Sequence, residues 1–199
     1  AFRSVVSGFR YDDTIDSVFS GPITYTVNGG NTNNLPAGSY NIIPSGPVNQ
    51  PSNYIIQYDQ GTLDVGKVTL RATVQNASRM YGEPNPTFII SYEGFRNNDN
   101  ITVIDNLPVA STAADAFSSV GPYAINLTGG SDNNYFIQVN GGTLQVGKAV
   151  MTETAQNATR LYGNPNPSFV INYSGFKNND NATSITALPV ASTTATVTS

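Results

Sequence analysis

The side chains that could do chemistry are few, and they recur. One aspartate stands at the end of each of three related segments, Asp13 in GFRYDD, Asp99 in GFRNND and Asp180 in GFKNND. Around them lie oxygen-rich runs, Asn97 to Asn100 and Asn178 to Asn181, with Asp12, Asp13 and Asp16 in the first segment. Oxygen donors of this kind suit a hard cation, which makes Asp13, Asp99 and Asp180 calcium candidates; a tight calcium site needs several carboxylates at fixed spacing, and each loop supplies one or two. A carboxylate pair could also hydrolyse glycosides, but these acids come one per segment and are too far apart in sequence to pair within one. The chain has no His and no Cys. Ser-His and Cys-His nucleophile pairs and zinc sites built on those ligands are therefore excluded. The plain expectation for the three aspartates is structural, as N-caps of short helical turns over 101–104 and 182–185.

A second recurring group is Arg79 with Tyr81 and Arg160 with Tyr162, which could hold a sugar by stacking and cation–π contact. Their repetition at one spacing fits packing better: each Tyr lies under the turn at Gly82 or Gly163, and the Arg shields it. Five Asn-x-Ser/Thr sites, at Asn76, Asn100, Asn126, Asn157 and Asn181, are potential glycan acceptors in a secreted chain. A Lys–Asn isopeptide bond from Lys67 or Lys148 is disfavoured, because Glu83 and Glu93 have no acidic counterparts at Asn164 and Ser174.

These residues are placed by a repeat. KVTLRATVQNASRMYGEPNPTFIISYEGFRNNDN begins at Lys67, and KAVMTETAQNATRLYGNPNPSFVINYSGFKNNDN begins at Lys148, a period of 81 residues. A third, more divergent copy comes first, its GTLDVGK at 61–67 matching GTLQVGK at 142–148. The copies divide the chain into 1–66, a module lacking its opening strands, 67–147, a complete module, and 148–199, a module lacking its closing strands. With neither a signal peptide nor an initiator Met, the numbering reads as that of a mature or excerpted chain.

The elements are strands. Leu70, Ala72 and Val74 alternate with polar neighbours, as do Phe88, Ile90 and Tyr92, Phe169, Ile171 and Tyr173, and Tyr123, Ile125 and Leu127. Tyr135 to Val139 and Thr143 to Val146 flank Asn140-Gly141-Gly142, where Asn-Gly predicts a tight hairpin. Tyr81 to Pro86 and Tyr162 to Pro167 must be turned or extended, since each carries two prolines. The sequence predicts a mainly β protein of tandem modules with one short helical turn each. Gly82, Gly163, Gly94, Phe95, Gly175, Phe176, Asn140 and Gly141 are its structural candidates, with Tyr81 and Tyr162. Only Gly147-Lys148 separates the last strand of one module from the next, so neighbours should be coupled with limited bending.

Charged residues are 11% of the chain and the net charge is −4. Nine basic residues spread singly form no patch for nucleic acid. No apolar run approaches the roughly 18 residues of a membrane helix. Abundant Asn, Thr, Ser and Gly fits an exported protein, and the missing Cys is neutral on that point.

In sustained order, the Tyr-Gly-x-x-Asn-Pro turn, the Gly-Phe corner with its Asn-rich loop, and the closing Gly-Thr-Leu-x-Val strand resemble the MBG repeat of the Tyr-Gly-x type, found in tandem in large bacterial surface proteins and adhesins. The resemblance covers nearly the whole chain. It implies a mostly β module, an Ig-like sandwich or β-grasp-like, used in stalks or adhesive arrays at the cell surface, and it brings no catalytic residues. The first copy departs from the pattern at Tyr11-Asp12 and in its longer loop, Asn28 to Tyr40. Three functions follow as expectations. One is a spacer whose partners are neighbouring modules, without cofactor or enzymatic activity. Another is a filament subunit built by strand complementation between like chains. The third is a module binding a surface glycan or host protein through Asn28 to Tyr40 and Gly129 to Asn134.

Overall fold

A computed structural model describes residues 2–30, 33–47 and 53–198. The chain forms two compact units, one of 1–70, 94–106 and 131–137, the other of 71–93, 107–130 and 138–199. In both, strands are the main regular structure among the described residues.

In the first copy, β1 (Thr24–Val27), β2 (Gly38–Ser45) and β3 (Gly61–Val65) make an antiparallel sheet in chain order. It is preceded by a single helical turn, α1 (Ile15–Val18), whose start is closed by Thr14 N–H donating to Ser17 Oγ at 2.9 Å.

The middle copy contributes seven strands. These are β4 (Val68–Val74), β5 (Ala77–Met80), β6 (Ile90–Glu93), β7 (Val109–Thr112), β8 (Gly121–Thr128), β9 (Tyr135–Asn140) and β10 (Gly142–Gly147). They form two sheets, ordered β6-β4-β9 and β5-β10-β8-β7. The period-2 readings hold: Leu70, Ala72 and Val74 are buried along β4, and Ile125 and Leu127 along β8. In the second unit one core draws on both sheets, with Val74 and Ile90 from one and Ile125, Leu144 and Val146 from the other. Leu144 and Val146 are fully covered, each contributing about 1.5–3 kcal/mol of burial. Two sheets sharing a core in this way make a sandwich, and among the described residues no long helix packs across either.

The opening and closing strands each change sheets. β4 continues into β5 across Gln75-Asn76, and β9 continues into β10 across Gly141. After their changes, β5 and β10 run parallel, with Ala77 opposite Leu144 and Met80 opposite Gly147. At the first change Gln75 N–H donates to Ile89 O, and the Asn76 side chain accepts from Thr143 N–H, both at 2.8 Å. Asn76 thus supplies from its side chain a bond that the bent backbone cannot.

The hairpin expected at Asn140-Gly141-Gly142 is absent. β9 belongs to one sheet and β10 to the other, and neither Asn140 nor the two glycines has a positive φ. The glycines are needed for close approach instead. A Cβ on Gly141 would stand 2.7 Å from Ile125 O, and one on Gly142 2.8 Å from Val74 O. The first copy forms no hairpin at the corresponding place either: residues 54–60 form no strand, and β3 pairs with β2.

In the third copy, β11 (Thr152–Ala155) and β12 (Ile171–Ser174) pair antiparallel. Short 3-10 turns at Ile101–Val103 and Ala182–Ser184 fall where the sequence placed them, giving one helical turn per copy with α1. Among the described residues, no helix is long and apolar enough to cross a membrane.

Candidate functional site

The recurring aspartates do not cap the helical turns. The caps are Asn100 and Asn181, whose side chains accept from Thr102 and Thr183 N–H at 2.9 Å, and Thr14 in the first copy. Asp99 is free for a different bond. Its Oδ2 accepts from the Tyr135 hydroxyl at 2.7 Å, and that hydroxyl oxygen accepts in turn from Arg96 N–H at 2.9 Å. Phe95 meets the same Tyr135 ring edge-on at 5.6 Å between centroids. The first copy repeats the latch: Tyr54 OH donates to Asp13 Oδ2 at 2.5 Å and accepts from Arg10 N–H at 3.0 Å. Tyr54 and Tyr135 are one period apart, so this pairing is written in the repeat, although the sequence marks Tyr135 only as a strand residue. Asp180 is set in the same kind of loop, where its Oδ1 accepts from Ser184 Oγ at 3.4 Å.

Burial, and then the bond to Asp99, raises the Tyr135 phenol above its ordinary pKa; the Tyr54 phenol is raised mainly by its bond to Asp13. A phenol whose folded pKa exceeds the unfolded value of about 10 contributes fully below that pH and loses its contribution as pH rises through the folded value. Melting temperature should therefore be level from about pH 6 to about pH 9 and fall above about pH 10. Tyr135→Phe should cost about 1–2 kcal/mol at neutral pH, because the Asp99 carboxylate and Arg96 N–H lose their partner. It should also make the alkaline fall shallower. Parallel alkaline curves for the two proteins would remove Tyr135 from this role.

The Tyr-Gly segments hold a second repeated device. Glu83 N–H donates to Met80 O at 3.1 Å, closing a turn in which Gly82 has φ +81°; Asn164 and Leu161 close the same turn around Gly163 at φ +82°. Arg79 acts as a clip. It is buried, and its Nε donates to Asn85 Oδ1 at 2.7 Å, one terminal nitrogen to Met80 O at 3.1 Å, and the other to Asp115 O. The Asn85 amide then donates to Ala114 O at 2.6 Å. In the third copy, Arg160 donates to Asn166 Oδ1 at 2.7 Å and to Thr196 O, and Asn166 to Ala195 O at 2.7 Å. Every partner is displaced by one period. Tyr81 packs against the core, whereas Tyr162 is exposed.

The Gly-Phe corners need glycine for two reasons. Gly94 has φ +113° and Gly175 has φ +94°, and a Cβ on either would lie 2.6 Å from a carbonyl, Thr69 O or Val150 O. The following pairs Asn97-Asn98 and Asn178-Asn179 are left-handed, with φ from 54° to 65°, which Asn tolerates better than most residues. In the first copy Tyr11 takes that conformation at φ 56°. Phe176 meets the Tyr173 ring at 6.3 Å, a tilted pair within its own copy.

The loops expected to bind ligands are largely committed to the protein itself. Asp132, in Gly129 to Asn134, is buried; its Oδ1 accepts from Asn134 and Tyr135 N–H, and its backbone oxygen accepts from Lys67 Nζ at 2.8 Å. Asn134 Oδ1 accepts from Ala37 N–H at 2.9 Å. The sequence places Asp132 only in a candidate binding loop, and nothing local marks this role. In Asn28 to Tyr40, residues 31 and 32 lie outside the described residues, and the remainder leads into β2. Of the five potential glycan acceptors, Asn76, Asn100 and Asn181 have their side-chain oxygens engaged. Among the described residues no three acidic side chains converge as a cation would require. An open groove of about 590 Å³ in the first copy is lined by Val18, Phe19, Tyr25, Ile42, Tyr54 and Asp59.

A family model described as MBG domain (YGX type) matches residues 70–145 and 151–199. The chain belongs to the MBG family. The two matched stretches are the second and third copies, and they contain both Tyr-Gly turns with their Arg–Asn clips. As an MBG chain it is a repeat module of the type associated with surface proteins. No curated protein and no solved structure matches it.

Proposed function

We propose that this MBG chain is a structural spacer of an extracellular surface protein, and not an enzyme. One observation carries the reading: the Arg–Asn and Asp–Tyr pairs that recur hold the module together. The Arg79–Asn85 clip repeats at Arg160–Asn166 with the same 2.7 Å bond, and the Asp99–Tyr135 latch repeats at Asp13–Tyr54. A binding site would instead present such groups to solvent, converging on a common point. The cell surface is the location that the family and the Asn- and Thr-rich composition favour.

Two measurements test this. On a glycan array, the full chain should give no signal above background at micromolar concentration, and saturable binding to any glycan class would sink the spacer reading. Calcium is the remaining cofactor candidate. Because Asp99 Oδ2 and Asn100 Oδ1 already have partners, the melting temperature should be the same in EDTA and in millimolar calcium. A rise in calcium would assign the Asn-rich loops to the metal.

A further inference from the structure

The third copy reaches back onto the second. Lys177-Asn178, in the Gly-Phe corner of the third copy, lies over the Tyr81-Gly82 turn of the second, all within one compact unit. The Asn178 amide donates to Ala116 O at 2.8 Å, and the same oxygen accepts from Gly82 N–H at 3.2 Å. Space is tight: a Cβ on Gly82 would stand 2.5 Å from Lys177 Cβ and 2.6 Å from its Cγ. These are the atoms nearest the Lys177 backbone, so the side chain cannot swing clear. Gly163, in the identical turn one period later, has nothing within 4 Å of the same point. Asn97, one period before Asn178, is exposed, whereas Asn178 is half-buried.

We propose that the Lys-Asn corner of each module and the Tyr-Gly turn with Ala116 of the module before it form a specific joint that fixes the angle between neighbours. Its partner is the next copy of the repeat. Both halves are present in the second and third copies alike, as Tyr-Gly at 81–82 and 162–163 and as Arg-Asn or Lys-Asn at 96–97 and 177–178. The joint can therefore propagate along an array. Gly82 serves two purposes, since the turn requires its positive φ and the neighbour requires its missing side chain. Asn178 likewise combines a tolerated left-handed backbone with an amide aimed across the junction. The inference rests on the spacer reading only for its purpose, because a spacer's reach depends on whether its joints bend.

The chain has no Cys, so two can be introduced without background, at the exposed Ser111 of the second copy and Ser174 of the third. Nitroxide labels there report the inter-module distance by pulsed electron resonance. The parent should give one narrow distribution. Asn178→Gly keeps the left-handed backbone but deletes the amide, and Gly82→Ala inserts the colliding Cβ; each should broaden the distribution at least about two-fold, as expected of modules freed to move. Asn97→Gly and Gly163→Ala make the same chemical changes away from the joint and should leave it narrow. A broad parent distribution, or one unchanged in Asn178→Gly, overturns the joint. Should Gly82→Ala unfold the second copy, Asn178→Gly decides alone. Glycan binding with a narrow distribution would remove the spacer reading and keep the joint, whereas a broad one without binding would do the reverse.

Discussion

Replacing Arg79 with Met should lower the stability of the second copy by about 3 kcal/mol, enough to move its melting midpoint by roughly 12–24 °C for a module of this size. The guanidinium is interior, and its donors go to Asn85 Oδ1, Met80 O and Asp115 O. Methionine fills much of the same volume, so the expected loss comes from acceptors stripped of their donors and not from a cavity. Asn85 would also lose its orientation, and with it the bond to Ala114 O that ties the Tyr-Gly turn to the segment before β8. Lysine should not rescue the variant, because a single ammonium cannot serve three acceptors spread along a planar fork. Arg160→Met supplies the comparison. Its clip has the same partners one period later but lies in a more exposed setting, so water can replace the lost bonds and the cost should be less than half. With no Trp in the chain, tyrosine emission and circular dichroism in urea would follow the transition. An Arg79→Met protein within about 1 kcal/mol of the parent would show that the clip is not a main support.

The Arg79 clip bears on what a sequence of this kind can convey. Alternation is local, so Leu70, Ala72 and Val74 announced their face directly, and β4 buries all three. The Arg79 acceptors are not local: Ala114 and Asp115 lie in a stretch whose spatial neighbours depend on how the sheets are wound. The repeat could show that Arg79, Asn85 and the Tyr-Gly turn travel together, but not which atoms they bind. Asp99 presents the same difficulty, since its partner is 36 residues on, and a cap one or two residues away was the nearer explanation. Here the divergent first copy held a usable signal. It changed Asn97-Asn98 to Tyr11-Asp12 and lengthened a loop, yet kept both Asp13 and Tyr54, the two ends of the latch.

The glycines divide in the same way. Asn140-Gly141-Gly142 has the composition of a hairpin turn, yet neither glycine uses its freedom in φ. What requires them is the proximity of Ile125 O and Val74 O, carbonyls on strands distant in sequence. A glycine needed for its φ is legible from its immediate neighbours, whereas one needed for its missing Cβ is legible only once the fold is known. Because β9 and β10 lie in different sheets, the closing strand bridges them, as the opening strand does through β4 and β5. Both ends of the module therefore hold its two sheets together.

Gly94 combines both requirements, and Gly94→Ala should be correspondingly costly, by about 3 kcal/mol or more. At φ +113° the backbone lies outside the left-handed basin that an L-residue can enter at moderate cost. The new methyl would also meet Thr69 O at 2.6 Å, with Leu70 Cα only 3.6 Å away. Relief would have to come from moving β4. That strand is anchored by Leu70, which has no exposed surface, and by its ladder with β6, where Arg71 stands opposite Glu93. Gly163→Ala separates the two causes, since its φ of +82° imposes backbone strain while its Cβ enters open space. It should cost about 1–2 kcal/mol, the price of a left-handed alanine alone. Gly175→Ala, facing Val150 O at the same 2.6 Å, should fall between them, because β11 beside it is exposed and freer to yield. Urea denaturation of the three variants would establish the order. If Gly94→Ala and Gly163→Ala prove equally costly, φ alone sets the requirement for glycine and the close approach of the corner to β4 contributes nothing.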